Sequence, residues 1–378
     1  MRILHTTEFY DPHAGGNLAI QRISEGLVRR GHSVTVATTF LSERTSAEIA
    51  GVKIEPFRIR GSLVKGIRGD VARYQQYLLE GDFDVVTNFF ADIWTTDLTF
   101  GVLDRIRGAR VLATPCLSKL ARPTHRRYFY SNYLDALAKY DRVVYLSAAY
   151  RDKLFGDEHR FGDKASIIPN GAGEEFLAAP AGFRKAFDIT TPLMLLTVAN
   201  HYLAKGHAFV IDAFHRMRRT DATLVLVGEK PFFHSWYSCW PRCRLAGVLD
   251  RHIRVLSGVP RAWVVSAFQE ADLFLFGSRV ECSPLVMYEA FASRTPFLTT
   301  PVGNVSDHAD VVKIVRTPEE MSHAANALLE DDAERRRLAG QAFQLWQTHH
   351  TWKQIAAQYE SLYTALVERG RTVGAAGR

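Results

Sequence analysis

Short apolar runs recur along the chain, each followed by a stretch of helical periodicity. Arg2–Thr6 reads as a strand. Residues 17–30 then read as a helix with Ile20, Ile23 and Leu27 on one face and Gly31 at the position after its end, and Ser33–Ala37 returns as a strand. Strand, helix, strand at this spacing argues for a βαβ unit and a parallel sheet. "FDVVTNF", "ARVLATP" and "DRVVYLS" continue the theme. A second series begins after residue 190: "PLMLLTVAN", "ATLVLVG", "HIRVLSG", "ADLFLFG", "TPFLTT" and "VVKIVRT". Between the two series lies a Gly-, Ala- and Pro-rich segment with no sheet-forming run, so a linker is expected near 175–190. The expected fold class is α/β, with two Rossmann-like domains whose parallel sheets face one another across a cleft.

Length supports two cores rather than one, since the chain has 378 residues, 47% of them hydrophobic. No apolar run approaches the roughly 18–20 residues a membrane span needs, and "MRILHTTEFY" reads as a strand rather than a signal peptide. Cys116, Cys239, Cys243 and Cys282 are too few and too scattered for a disulfide framework, so a reducing, cytoplasmic compartment is expected. The formal net charge of +7 favours an anionic partner. Much of the excess sits in residues 58–73, with Arg58, Arg60, Lys65, Arg68 and Arg73, and in the acid-free stretch 119–127.

In open α/β sheets ligands bind beyond the carboxyl ends of the strands. Gly15-Gly16 stands at one such junction, where bare backbone and the first helical N–H groups favour an anion. Lys205-Gly206 stands at a second. A lysine there opposes the positive end of the helix dipole, and no nearby carboxylate in the sequence offsets it, so a bound phosphate is expected to do so. In "ECSPLVMYE", Ser283 is expected to cap a helix whose first residue is Pro284. Glu281 then lies outside the helix and Glu289 in its second turn, too far apart for a proton-sharing dyad. The pair suits two hydroxyl acceptors at opposite ends of an elongated ligand with phosphate between them, as in a sugar nucleotide. Asp11 and His13 in the glycine loop are candidates to reach a substrate. No metal is expected: Asp82-x-Asp84 precedes its strand instead of following it, and Cys239 and Cys243 lack a second pair. "KPFFHSWYSCWPR" reads as an aromatic mini-core or an exposed patch.

These residues resemble glycosyltransferase family 4, retaining enzymes of the GT-B fold, over nearly the whole chain. The resemblance rests on the N-terminal strand and glycine loop, "SIIPNG", Lys205-Gly206, "SRVECSPLVMYEAFASRTPFLTTPVGN" and "TWKQIAAQYESLY". It implies an acceptor-side domain over 1–178, completed by a closing helix at 352–369 whose stripe is Trp352, Ile355, Tyr359, Leu362, Tyr363 and Leu366, and a donor-side domain over 188–350. It implies that Glu289 binds ribose hydroxyls, that Glu281 lies by the donor sugar, and that the backbone at Cys282, Ser283, Pro284 and Leu285 meets sugar and phosphate. Lys205 would neutralise the diphosphate, Gly16 would approach it from the other domain, and Asn170 would help shape the site.

Three departures stand out. Asn200 occupies the place of a phosphate-binding arginine, with His201 and Arg279 as substitutes to consider. Cys116 replaces a histidine near the sugar and joins Asp11 and His13 as an acceptor-side candidate, and Ala292-Ser293-Arg294 ends in a cation where glycine is usual. The implied reaction moves a hexose-type sugar from a nucleoside-diphosphate sugar to an acceptor hydroxyl with retention, in bacterial-type polysaccharide, glycolipid or glycoconjugate biosynthesis. Expected partners are that donor and a saccharide or lipid-linked saccharide, with no cofactor and no nucleic acid. Peripheral contact with anionic lipid on the cytoplasmic face of an inner membrane follows from the basic stretches. A sugar-nucleotide 2-epimerase and a non-catalytic sugar-nucleotide-binding partner are the alternatives.

Overall fold

The computed structural model describes residues 1–10, 18–230 and 238–376. The chain divides into two units, Met1–Pro169 with Trp352–Arg378, and Asn170–Thr351.

Among the described residues, the first unit is built on an eight-stranded sheet. Its spatial order is Ala165–Ile167, Arg142–Tyr145, Ala109–Ala113, Val85–Phe89, Arg2–Thr6, Ser33–Thr39, Val52–Phe57 and Glu48–Ile49. All pairings are parallel except the last, where Glu48–Ile49 turns back on Val52–Phe57. Ile3 sits opposite both Val34 and Val85, so the first strand is the centre of the sheet. Ile3 and Leu4 are fully buried, as befits a strand covered on both faces.

The helix Leu18–Arg29 buries Ile20, Ile23 and Leu27, and packs on the closing helix Trp352–Ala376. That closing helix buries Trp352, Ile355, Tyr359 and Tyr363 in the first unit. Tyr363 reaches the sheet centre: its hydroxyl lies 3.1 Å from His5 Nε2 and accepts from Thr87 Oγ1 at 2.7 Å. Burial pushes His5 down to about 3, so its ring is neutral there and exchanges hydrogen bonds with Tyr363 and Ser24.

The second unit carries six parallel strands among the described residues. Their order is Ile253–Leu256, Ala222–Val227, Leu193–Val198, Leu273–Phe276, Phe297–Thr299 and Val312–Ile314. In chain order this is 3-2-1-4-5-6, the doubly wound arrangement of dinucleotide-binding folds. Helix Pro318–Glu330 starts as its sequence suggests, with Thr317 accepting from the Glu320 N–H at 3.1 Å. The Glu320 carboxylate closes the cap on the Arg316 N–H, one residue before the usual partner.

The segment expected to be a linker is part of this second core. Residues 175–190 hold the turn Glu174–Leu177 and the helix Phe183–Ala186, and they bury Phe176, Phe183 and Ile189. The low strand propensity of the segment is real, but its aromatic residues are packed. The division falls earlier, at Pro169 and Asn170. Among the described residues no helix is long and apolar enough to cross a membrane.

Candidate functional site

The strand order of the second unit reverses between Leu193–Val198 and Leu273–Phe276, which pair in parallel. At such a switch point the two following loops diverge and leave a crevice at the carboxyl edge of the sheet. Here the loops touch near their bases. The Arg279 N–H donates to the Ala204 carbonyl at 2.8 Å, and a side chain at Gly206 would meet the Gly277 carbonyl oxygen at 1.7 Å. Gly206 also has φ +69°, so both its conformation and its surroundings require glycine.

Lys205 ends the short turn Leu203–Lys205, Gly206 follows, and the helix begins at His207. Lys205 Nζ donates to Glu281 Oε1 at 2.6 Å. The same oxygen accepts from Ser278 Oγ at 2.9 Å. No carboxylate lies near Lys205 in the sequence, but one from the loop after the adjacent strand offsets its charge, so a bound phosphate is not needed for that. The pair is only partly covered, with 31% of the lysine and 15% of the glutamate side chain exposed, so a ligand can reach it.

The signature helix spans Leu285–Ala292, with Pro284 rather than Ser283 at the capping position and no side-chain cap. This overturns the expected start by one residue. Pro284 has ψ 120°, which is extended, and the Ser283 hydroxyl is 3.4 Å from Tyr288 OH, turned away from the first-turn amides. The Met287 N–H donates to the Pro284 carbonyl at 3.1 Å, and no side chain caps the Leu285 and Val286 amides ahead of it. The loop is pinned from behind, because Asn170 Nδ2 donates to the Ser283 carbonyl at 2.8 Å. Cys282 is half-buried, Pro284 buried and Leu285 half-buried.

Glu289 lies in the second turn and is buried, and Arg261 Nη2 reaches its Oε1 at 2.6 Å. Arg261 also lies 3.2 Å from Glu175. Sequence reasoning passed over Arg261. The signal was available: it opens the helix Arg261–Glu270 that follows the strand "HIRVLSG", another carboxyl-end junction of the kind that drew attention to Lys205.

Asn200 is engaged with backbone, its Oδ1 accepting from the Glu229 N–H at 3.3 Å. His201 is not available as a substitute phosphate ligand, since it is fully buried. It lies instead with His207, Cys239 and Cys243, the four ligand atoms all within 4.8 Å of one another. The two cysteines therefore do have a second pair, made of histidines. Arg279 is exposed beside the loop. Arg294 explains the glycine it replaces: it adopts φ +58° just past the helix end, and its guanidinium stacks 3.5 Å above the Phe343 ring.

In the first unit Gly15, Gly16, Asp11 and His13 lie outside the described residues. Cys116 follows the strand Ala109–Ala113, is exposed and has φ +54°. The Asp82–Asp84 pair is taken up at the opposite end of the sheet, where Asp84 accepts from the Arg2 N–H at 2.6 Å and Asp82 pairs with the Arg2 guanidinium. At the carboxyl ends of the strands is a pocket of about 420 Å³ lined by Glu8, Asp92 and the cations Arg60, Lys65, Arg68 and Lys119. Both basic stretches thus contribute to one concavity. Asp92 is nearly buried beneath it, paired with Lys119 and 3.3 Å from His125.

Two family matches divide the chain. Residues 14–171 match the glycosyl transferase 4-like domain, and residues 192–331 match the glycosyl transferases group 1 family. The phosphatidylinositol N-acetylglucosaminyltransferase GPI3 subunit of Saccharomyces cerevisiae (strain RM11-1a) is 21% identical over 79% of this chain and 68% of its own. Sucrose-phosphate synthase from Thermosynechococcus elongatus superposes with a TM-score of 0.77 at 15% identity, covering 97% of this chain and 99% of that one. Anabaena Alr3699/HepE in complex with UDP-glucose gives a TM-score of 0.77 at 17% identity, covering 97% of this chain and 100% of that one. With two parallel α/β units and family matches over most of its length, the chain belongs to the group 1, GT4-like glycosyltransferases and has the GT-B fold.

Proposed function

We propose that the protein is a retaining hexosyltransferase that takes its sugar from a nucleoside-diphosphate donor and passes it to an acceptor hydroxyl. The observation that carries this reading is the Lys205–Glu281 pair at the switch point, beside helix amides that no side chain caps. A diphosphate placed there would accept from those amides and from Lys205. The lysine would then be shared between Glu281 and the leaving group. Charge developing on the departing diphosphate meets donors already fixed in place, so little reorganisation is needed at the moment of bond breaking. Glu281, partly released from Lys205, is free to accept from sugar hydroxyls. Glu289 is the ribose acceptor, held by Arg261 in the orientation a ligand would need. The acceptor proton can pass to the leaving phosphate oxygen, so no separate strong base is required.

The pocket of the first unit supports an acceptor that carries negative charge, either an anionic saccharide or one linked to lipid through phosphate. Its wall of Arg60, Lys65, Arg68 and Lys119 suits such a group. The yeast relative is named for transfer to phosphatidylinositol, which agrees with an acceptor at an anionic membrane face. HepE is described with UDP-glucose, which makes a UDP-hexose the first donor to try. The proposed setting is cytoplasmic, in polysaccharide, glycolipid or glycoconjugate synthesis, with peripheral contact to anionic lipid.

The test is release of nucleoside diphosphate from a panel of donors, with and without a lipid-linked glycan extract, and mass spectrometry of the products. Release that depends on the extract, with a hexose mass added to one component, supports the proposal. Isomerised donor in the absence of acceptor, or binding without turnover, overturns it.

A further inference from the structure

The four side chains His201, His207, Cys239 and Cys243 take no part in the proposed transfer, yet all are buried, between 0% and 3% exposed. Their ligand atoms converge within 4.8 Å. Cys239 Sγ lies 3.3 Å from His207 Nδ1 and 3.8 Å from His201 Nδ1. A tetrahedral zinc with sulfur at about 2.3 Å and nitrogen at about 2.0–2.1 Å has a sulfur–nitrogen edge of about 3.6 Å, between the two observed values. The spacings agree as well, since Cys-x3-Cys and His-x5-His both fall in the range of structural zinc sites.

Supporting contacts fit a metal centre. His207 Nε2 lies 3.2 Å from the Ala199 carbonyl, so it carries the proton and donates. That hydrogen bond leaves Nδ1 with its lone pair facing the sulfurs, the arrangement ligating histidines need. The two imidazoles stack at 4.5 Å between centroids, and Trp240 closes the outside edge-on to His201 at 4.7 Å. His201 Nε2 is buried with no hydrogen-bond partner, and a ring flip brings either of its nitrogens toward the sulfurs. Buried thiols and imidazoles whose partners are mostly one another are costly to withdraw from water. One divalent cation with two thiolates and two neutral imidazoles has no net charge and gives each of the four residues one ligand bond.

We infer that His201, His207, Cys239 and Cys243 bind one zinc ion as a closed structural site. Binding forms two Zn–S and two Zn–N bonds and releases the two thiol protons to solvent, with no change of oxidation state. The site clamps the turn after Leu193–Val198 to the start of the helix Trp240–Leu249, alongside the bridge between Tyr202 and Ser238. Lys205 lies between the two histidines in sequence, so the metal fixes the turn that presents it. The inference does not rest on the transfer reaction: bound metal is read directly, whichever sugar is moved and whether or not turnover is seen.

The experiment is metal analysis of the full chain purified under reducing conditions without chelator, together with cobalt substitution. About one zinc per chain is expected, with tetrahedral thiolate–cobalt absorption after exchange. Cys243→Ser and His207→Ala should each lower zinc to a small fraction of one per chain, and chelation of the wild type should lower its melting temperature. The spectrum and the chelation shift are read on wild-type protein, so poor folding of a variant leaves the test intact. Folded wild-type protein with no bound metal, zinc retained after both cysteines are replaced, or a Cys239–Cys243 disulfide in freshly reduced protein would overturn the inference.

Discussion

Lys205 and Glu281 are 76 positions apart in sequence and 2.6 Å apart in space. The pair exists because strands Leu193–Val198 and Leu273–Phe276 are neighbours at the point where the sheet order reverses. Each charge holds the other ready without consuming it. In the proposed reaction a diphosphate would compete for the lysine, and sugar hydroxyls for the glutamate.

Lys205→Ala is therefore expected to lower turnover by about 100- to 1,000-fold, as for loss of one preorganised donor to a leaving group. The melting temperature should stay near that of the wild type, because a partly exposed pair contributes little to stability. Steady-state kinetics and thermal denaturation of the same preparation check both halves.

Arg261 makes a different prediction, since it joins two carboxylates, one of them buried. Arg261→Ala leaves Glu289 buried without its cation, and both stability and donor affinity are expected to fall. Glu289→Ala removes the proposed ribose acceptor, so donor KM should rise by about 10-fold or more, consistent with a lost hydrogen bond to a charged group. Calorimetric titration of donor into each variant separates them from an effect on acceptor.

Gly206→Ala is expected to destabilise the second unit by more than about 2 kcal/mol, because a positive φ and a carbonyl oxygen 1.7 Å from the new methyl group act together. Denaturant unfolding gives the value directly.

In the first unit, burial lifts the Asp97 carboxyl to about 7, although Tyr128 OH and the Leu63 N–H both donate to it. The folded chain thus prefers the neutral acid. The associated stability is whole below the unfolded value of 3.8 and is lost as pH rises through about 7. The melting temperature of the wild type should decline between about pH 4 and about pH 7, and Asp97→Asn should flatten that part of the profile.

Much of this fold is legible in the sequence because burial on both faces leaves an unmistakable mark. Runs such as "LMLLTV" and "LFLF" have no alternation and are too short for helices. Glu281, Glu289 and Lys205 stand out as candidates in the sequence because each lies near a strand end or helix start. What escaped was pairing at long range. Nothing near Lys205 announces Glu281, nothing near Glu289 announces Arg261, and a search for a second cysteine pair passes over His201 and His207. The start of the signature helix was misplaced for a local reason, since Ser–Pro usually places serine at the cap and here the extended proline takes that position.

The most direct measurement is a crystal structure of the protein with a nucleoside-diphosphate sugar. The diphosphate is expected beside Lys205 and the amides that open the helix Leu285–Ala292, with ribose hydroxyls on Glu289. A donor bound elsewhere, with the Lys205–Glu281 pair untouched, would contradict it.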